Sequence, residues 1–182
     1  ESSNTIIKEY AELYNFDIIT IPPFQEDNIS ISSTKIRDYL ALGNIDMANR
    51  LLGYNFSFIG KVVPGMGFGK SIGFPTANLQ IDNSQKLIPA IGVYSACVYI
   101  QGMKYLGMLN IGKKPTFGHA NPLTIELHVL NFNKSIYSEE IKLVIFSRLR
   151  NEIKFESKEK LVAQLKEDEL RVRNYFNKLL PN

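Results

Sequence analysis

The residues best suited to chemistry lie in the run GKVVPGMGFGKSIGFPTAN, where Gly60, Gly65, Gly67, Gly69 and Gly73 fall within fourteen positions. Glycines at that density let backbone N–H groups approach phosphate oxygens with no Cβ in the way. Two familiar phosphate loops do not fit. A Walker A loop ending in Gly69-Lys70-Ser71 needs glycine where Pro64 stands, and it must run into a helix, which Pro75 opposes. A dinucleotide fingerprint starting at Gly65 and Gly67 needs glycine where Lys70 stands. Just past the glycines, Pro75-Thr76-Ala77-Asn78 supplies a hydroxyl and an amide oxygen two residues apart. On extended backbone such positions share a face, so Thr76 and Asn78 can jointly hold Mg²⁺ and a phosphate. The chemistry would be phosphate transfer. A glycine-rich hairpin whose Thr76 and Asn78 bond local backbone accounts for the composition about as well.

A second candidate is the strand-like LTIELHVL, in which Leu123, Ile125, Leu127 and Val129 share one face and Thr124, Glu126 and His128 the other. Glu126 beside a metal-bound triphosphate can accept the proton of an attacking hydroxyl. Without other evidence, a glutamate on the polar face of a half-buried strand is usually just solvated. His128 and His119 are the two histidines, and with the single Cys97 they cannot build a metal cluster, so both read as structural or peripheral. Lys113 and Lys114, in the loop NIGKKPTFG, can attract an anion or simply face water.

These groups need a scaffold. Apolar residues at helical spacing predict a helix over Thr5–Tyr14, and FDIITI at 16–21 predicts a buried strand. Ser32, Ser33 and Thr34 offer caps for the helix KIRDYLALG, stopped at Gly43, and IDMANRLLG predicts a short helix ending at Gly53. Beyond Tyr54 the runs NFSFIGKVV, GVYSACVYI, MKYLGMLNI, LTIELHVL and IKLVIFSRL are β-branched or aromatic and separated by turn residues. Gln101-Gly102 marks a tight hairpin, and five or six antiparallel strands of this length close into a small barrel. A helix over Ser157–Leu180 packs at the end. The boundary near residue 54 therefore separates an α/β segment, 1–53, from a mainly β domain, 54–182.

The 182 residues carry a net charge of +3 from 21 basic and 18 acidic side chains, with no basic run that would track a nucleic-acid backbone. An anionic small molecule is the simpler partner, and neither nucleic acid nor a membrane is expected. No apolar run approaches the roughly 20 residues of a membrane span, and one cysteine makes no disulfide framework, so a reducing cytoplasmic setting is expected. The start at Glu1, inside a predicted helix, suggests a piece of a longer chain.

The order GxV, GxxxGFPTAN, GVY, NIGxxPTF, ExHxL and LRxExxF followed by a helix, over residues 55 to about 176, resembles the riboflavin kinases. The resemblance implies a six-stranded antiparallel Greek-key barrel with a C-terminal helix. It also implies transfer of the ATP γ-phosphate, with Mg²⁺, to the ribityl 5′-hydroxyl of riboflavin, giving FMN and ADP. By this likeness Thr76 and Asn78 are the metal and phosphate ligands and Glu126 the catalytic base. Gly65, Gly67, Gly69, Lys70 and Gly73 form the flap over ATP, and Tyr137 flanks the adenine. The family's LYG turn is here Ile136-Tyr137-Ser138, without its glycine, and its LRPE is Leu149-Arg150-Asn151-Glu152, without its proline. Residues 1–53, with ISSTKIR at 31–37, are similar to the tail of the nucleotidyltransferase domain in bacterial bifunctional FAD synthetases. No HxGH-type motif is present, so this chain is not expected to make FAD, although an intact parent would adenylylate FMN. The competing readings are a flavin- or nucleotide-binding barrel without catalysis, and a barrel that binds nucleic acid.

Overall fold

The computed structural model describes residues 2–22, 24–26, 29–65, 67–83, 85–113 and 123–179. Two compact units, Glu1–Ile31 and Ser32–Asn182, divide it. In the first, helix α1 (Ser2–Tyr14) ends at Asn15, which has φ 52°, and Phe16 N–H donates back to Ala11 O at 3.1 Å. A two-stranded ribbon, β1 (Gln25–Glu26) and β2 (Ile29–Ser30), follows. The buried strand expected at 16–21 is not formed. A strand needs ladder partners for its N–H and C=O groups; none pairs with this segment among the described residues, and Ile19 and Ile21 are 87% and 84% exposed.

The second unit opens with a helical hairpin. Ser32 caps α2 (Ser33–Ala41) by accepting from Lys35 N–H at 3.2 Å, and Asn44 caps α3 (Ile45–Leu52) by accepting from Met47 N–H at 3.2 Å. Gly53 ends α3 at φ 73°, the left-handed conformation in which glycine avoids the Cβ penalty. The chain then forms β3 (Ser57–Val63), a one-turn helix α4 (Phe68–Ser71), β4 (Ala77–Gln80), β5 (Gly92–Ile100), β6 (Met103–Lys113), β7 (Leu123–Val129), β8 (Glu140–Arg150) and α5 (Lys158–Leu179).

The six strands β3 to β8 close into an antiparallel barrel in the order β3-β4-β7-β6-β5-β8, with β8 pairing back to β3. Strands β5, β6 and β7 form a meander, and β8 returns beside β5, which is a Greek key. The tight hairpin at Gln101-Gly102 has positive φ at both residues, 49° and 79°, as a two-residue turn matched to strand twist requires.

Alternation divides the strand side chains between two layers. Ile125, Leu127 and Val129 of β7 face the barrel interior with Leu109, Ile111, Tyr94 and Leu143. On the outer face Met108 and Cys97 pack beneath Val172 and Phe176 of α5. Leu40, Ile45 and Ala48 of the helical hairpin join the interior cluster. Polar links reinforce this: Asn49 accepts from Phe56 N–H at 2.7 Å and donates to Ile145 O at 3.0 Å, while Arg148 of β8 donates to Leu42 O at 3.3 Å and to Ile91 O. The division by compactness thus falls after Ile31, ahead of the change in sequence character near residue 54.

Candidate active site

Strand register assembles the site. Asn78 of β4 stands opposite Glu126 of β7, Glu126 opposite Asn110 of β6, Asn110 opposite Val93 of β5, and Val93 opposite Arg150 of β8. Cross-strand partners share a face, so one rung carries these residues around the outside of the barrel. All five line one cavity of about 460 Å³. Its walls are Phe68, Ile72 and Phe74 of the glycine-rich flap, Glu152, Ile153 and Phe155 after β8, and Leu161 and Leu165 of α5.

A second cavity, of about 400 Å³, opens along Val62, Lys70, Pro75 and the segment from Phe132 to Tyr137. Among the described residues Thr76 alone lines both cavities. Its Oγ1 lies 3.5 Å from Glu126 Oε2, at the long limit of a hydrogen bond, which leaves the carboxylate able to accept from another group.

Close approach explains the flap glycines. A Cβ on Gly65 would sit 1.8 Å from Asn78 Nδ2 and displace the end of that side chain, and one on Gly69 would sit 2.2 Å from the backbone oxygen of Phe74, so a side chain there would distort the flap itself. Gly65, Gly67 and Gly69 line the larger cavity, Lys70 the smaller; Gly73, at φ 82°, lines neither and makes the turn out of α4. Asn78 sits in β4 and Thr76 just before it, so the two reach the site from a strand and from the loop that enters it. Tyr137 borders the smaller cavity and is 63% exposed. Ser138, standing where the resemblance expects glycine, keeps a glycine-like conformation at φ 66°. Lys113 lines the larger cavity, while Lys114 and His119 lie outside the described residues.

Three features escaped the sequence reading. Asn110 belongs to the rung. Arg150 is held by Asp168 of α5, with Nε 3.1 and 2.9 Å from its two carboxylate oxygens and Nη2 at 2.8 Å, and Asp168 is fully buried. His128 makes a 2.7 Å hydrogen bond through Nδ1 to Pro75 O and packs its ring 5.2 Å from that of Phe74. Only the spacing of Glu126 and His128 on one strand face hinted at any of these.

The donors gathered at the rung are a hydroxyl, an amide oxygen and a carboxylate. Among the described residues no cluster of three His, Cys, Asp or Glu side chains exists. A hard cation that keeps most of its shell for phosphate oxygens and water suits such a set.

The family described as flavokinase, riboflavin kinase, matches residues 52–176. The chain belongs to the riboflavin kinase family. Curated relatives described as bifunctional riboflavin kinase/FMN adenylyltransferase agree with this. Those of Listeria monocytogenes and Escherichia coli K12 are each 38% identical, over 98% and 100% of this chain but 56% and 57% of their own lengths. That of Bacillus subtilis is 38% identical over 85% of this chain and 49% of its own. The chain therefore spans about half the length of the curated relatives it matches. A crystal structure described as a macrolide-efflux protein from Streptococcus pneumoniae is similar at TM-score 0.84 and 37% identity, over 92% of this chain and 54% of that one. The barrel, the flap and the rung are thus the parts of a riboflavin kinase domain, and no helix among the described residues is long and apolar enough to cross a membrane.

Proposed function

We propose that this domain transfers the γ-phosphate of ATP to the ribityl 5′-hydroxyl of riboflavin, giving FMN and ADP. The observation that carries it is Glu126, set beside Asn78 and beside Thr76, the residue that lines both cavities. Phosphoryl transfer is catalysed mainly by positioning and by charge stabilisation, so two neighbouring sites with a base beside the residue they share suit it. The larger cavity, with Phe74, Met108, Ile153 and Leu165 among its walls, takes the flat apolar isoalloxazine ring. The smaller one takes the nucleotide, with Tyr137 flanking the adenine and Lys70 near the phosphates. The flap glycines Gly65, Gly67 and Gly69 reach the transferring end of the triphosphate from the side of the larger cavity, and Glu126 removes the hydroxyl proton as the oxygen attacks in line.

Thr76 and Asn78 would hold Mg²⁺, which when bound neutralises charge on the transferring phosphate. A mixture of protein, riboflavin, ATP and Mg²⁺ should yield FMN by chromatography. Riboflavin binding with ATP left intact would instead make this a binding barrel. Thr76→Ala or Asn78→Ala should weaken Mg²⁺-ATP binding, measured by calorimetry with and without the metal; unchanged affinity would remove the residue from the metal grip.

Residues 1–53 are, in this reading, the tail of an adenylyltransferase domain, supported by the family match beginning at residue 52 and by the paired activities in the relatives' descriptions. FMN adenylylation then belongs to an intact parent chain. The substrates are small and soluble, which suits work in the cytoplasm without nucleic acid or membrane.

A further inference from the structure

The kinase reading leaves His128 without a task, although it is among the residues nearest the chemistry. It projects from β7 on the same face as Glu126, lines the larger cavity, and reaches across the fold to a single backbone atom, the carbonyl oxygen of Pro75, at 2.7 Å. A carbonyl oxygen can only accept, so the ring nitrogen facing it, Nδ1, carries the proton. That carbonyl belongs to the peptide plane that includes Thr76 N. On the other side, Phe74 N–H donates to Gly69 O at 2.8 Å, and the Phe74 ring packs against the imidazole. The short piece 74–76 is therefore tied at one end to the flap and at the other to the strand that bears the carboxylate. Thr76 is the residue common to the two cavities, and its Oγ1 lies within 3.5 Å of Glu126.

We propose that His128 is a positioning residue: as the Nδ1–H tautomer it clamps the Pro75–Thr76 peptide and so holds the Thr76 hydroxyl beside Glu126, at the residue common to both cavities. This rests on the kinase reading for its effect on rate, but not for its effect on the ring. Three further facts favour a clamp over plain core packing. His128 is half-buried rather than sealed in, its bond spans 53 positions of sequence, and Pro75, lacking an N–H, cannot anchor itself through a backbone donor of its own.

The test has two parts. Nitrogen-15 NMR of the free protein, at a pH where imidazoles are neutral, reads the tautomer directly; with two histidines in the chain, a His128 variant assigns the signals. An Nδ1–H ring is expected, and an Nε2–H ring overturns the proposal whatever the activity proves to be. In parallel, His128→Phe keeps a ring against Phe74 but has no donor, whereas His128→Asn restores an N–H near the position of Nδ1. Misplacing a reacting group by about 1 Å costs about 100-fold, so kcat of His128→Phe, read at saturating riboflavin, should fall on that order. His128→Asn should recover most of the rate. Wild-type kcat in His128→Phe, or an Asn variant no better than the Phe variant at equal folded fraction, would show packing alone. If the Phe variant does not fold, the tautomer and the Asn variant still decide. Absence of FMN from the wild-type protein would sink the kinase reading and leave the NMR result standing.

Discussion

Glu126 owes its place to register rather than to any neighbour in sequence. Asn78 and Asn110 stand on either side of it on adjoining strands, and Thr76 sits at 3.5 Å. A base acts on rate and not on ground-state binding. Glu126→Gln should therefore leave riboflavin and Mg²⁺-ATP affinities near wild type and lower kcat by about 10²- to 10⁴-fold, and undiminished FMN production would remove the residue from that role. Ser138 tests a different cost. Its φ of 66° places a Cβ in the left-handed region, which costs roughly 1–2 kcal/mol for a residue other than glycine. Ser138→Gly relieves that strain at some loss of backbone entropy, so thermal unfolding should rise by about 2 °C; a lower midpoint would mean that the serine side chain makes a compensating contact. Gly65→Ala works in the opposite direction. Its Cβ would meet Asn78 Nδ2 at 1.8 Å, so the Asn78 amide must turn away, and Mg²⁺-ATP binding should weaken by about tenfold or more, with folding intact.

Among the elements, α5 contributes most through one buried pair. Arg150 is 12% exposed and Asp168 fully buried, and Gln164 donates to the same carboxylate at 3.1 Å. Removing one partner of such a pair strands the other charge and costs about 3–5 kcal/mol. Asp168→Asn should thus lower the melting temperature by roughly 10 °C and, because Arg150 lines the larger cavity, weaken riboflavin binding as well. Cys97 lies under the same helix; burial pushes its thiol up, with Lys104 opposing, so it stays protonated and unreactive while the fold holds. The barrel, its hairpin at Gln101-Gly102 and the closing helix were legible because each rests on local periodicity and turn chemistry. The grouping of Thr76, Asn78 and Glu126 was legible through the family likeness. Asn110, Arg150 with Asp168, and the His128 clamp were not, since each depends on which strands and helices become neighbours. FDIITI misled for a related reason: its apolar run fits a strand, but no strand pairs with it among the described residues.

For the whole molecule, the helical hairpin 33–52 shares a core with the barrel, so the compact unit is longer than the family match that begins at residue 52. Losing it would expose the surfaces that Leu40 and Ile45 cover, each burial worth roughly 1.5–3 kcal/mol, and would leave Ile145 O and Phe56 N–H without Asn49. A chain starting at Ser32 should melt higher than one starting at Tyr54, by on the order of 10 °C, and equal midpoints would show the hairpin to be an ornament. The sharing of Thr76 by two cavities also bears on inhibition. On the kinase reading, one ligand that joins a flavin to an adenine nucleotide through a short phosphate chain should occupy both at once, and such linkage typically strengthens binding by about 10²- to 10⁴-fold over either half. A linker bulkier than phosphate should forfeit the gain.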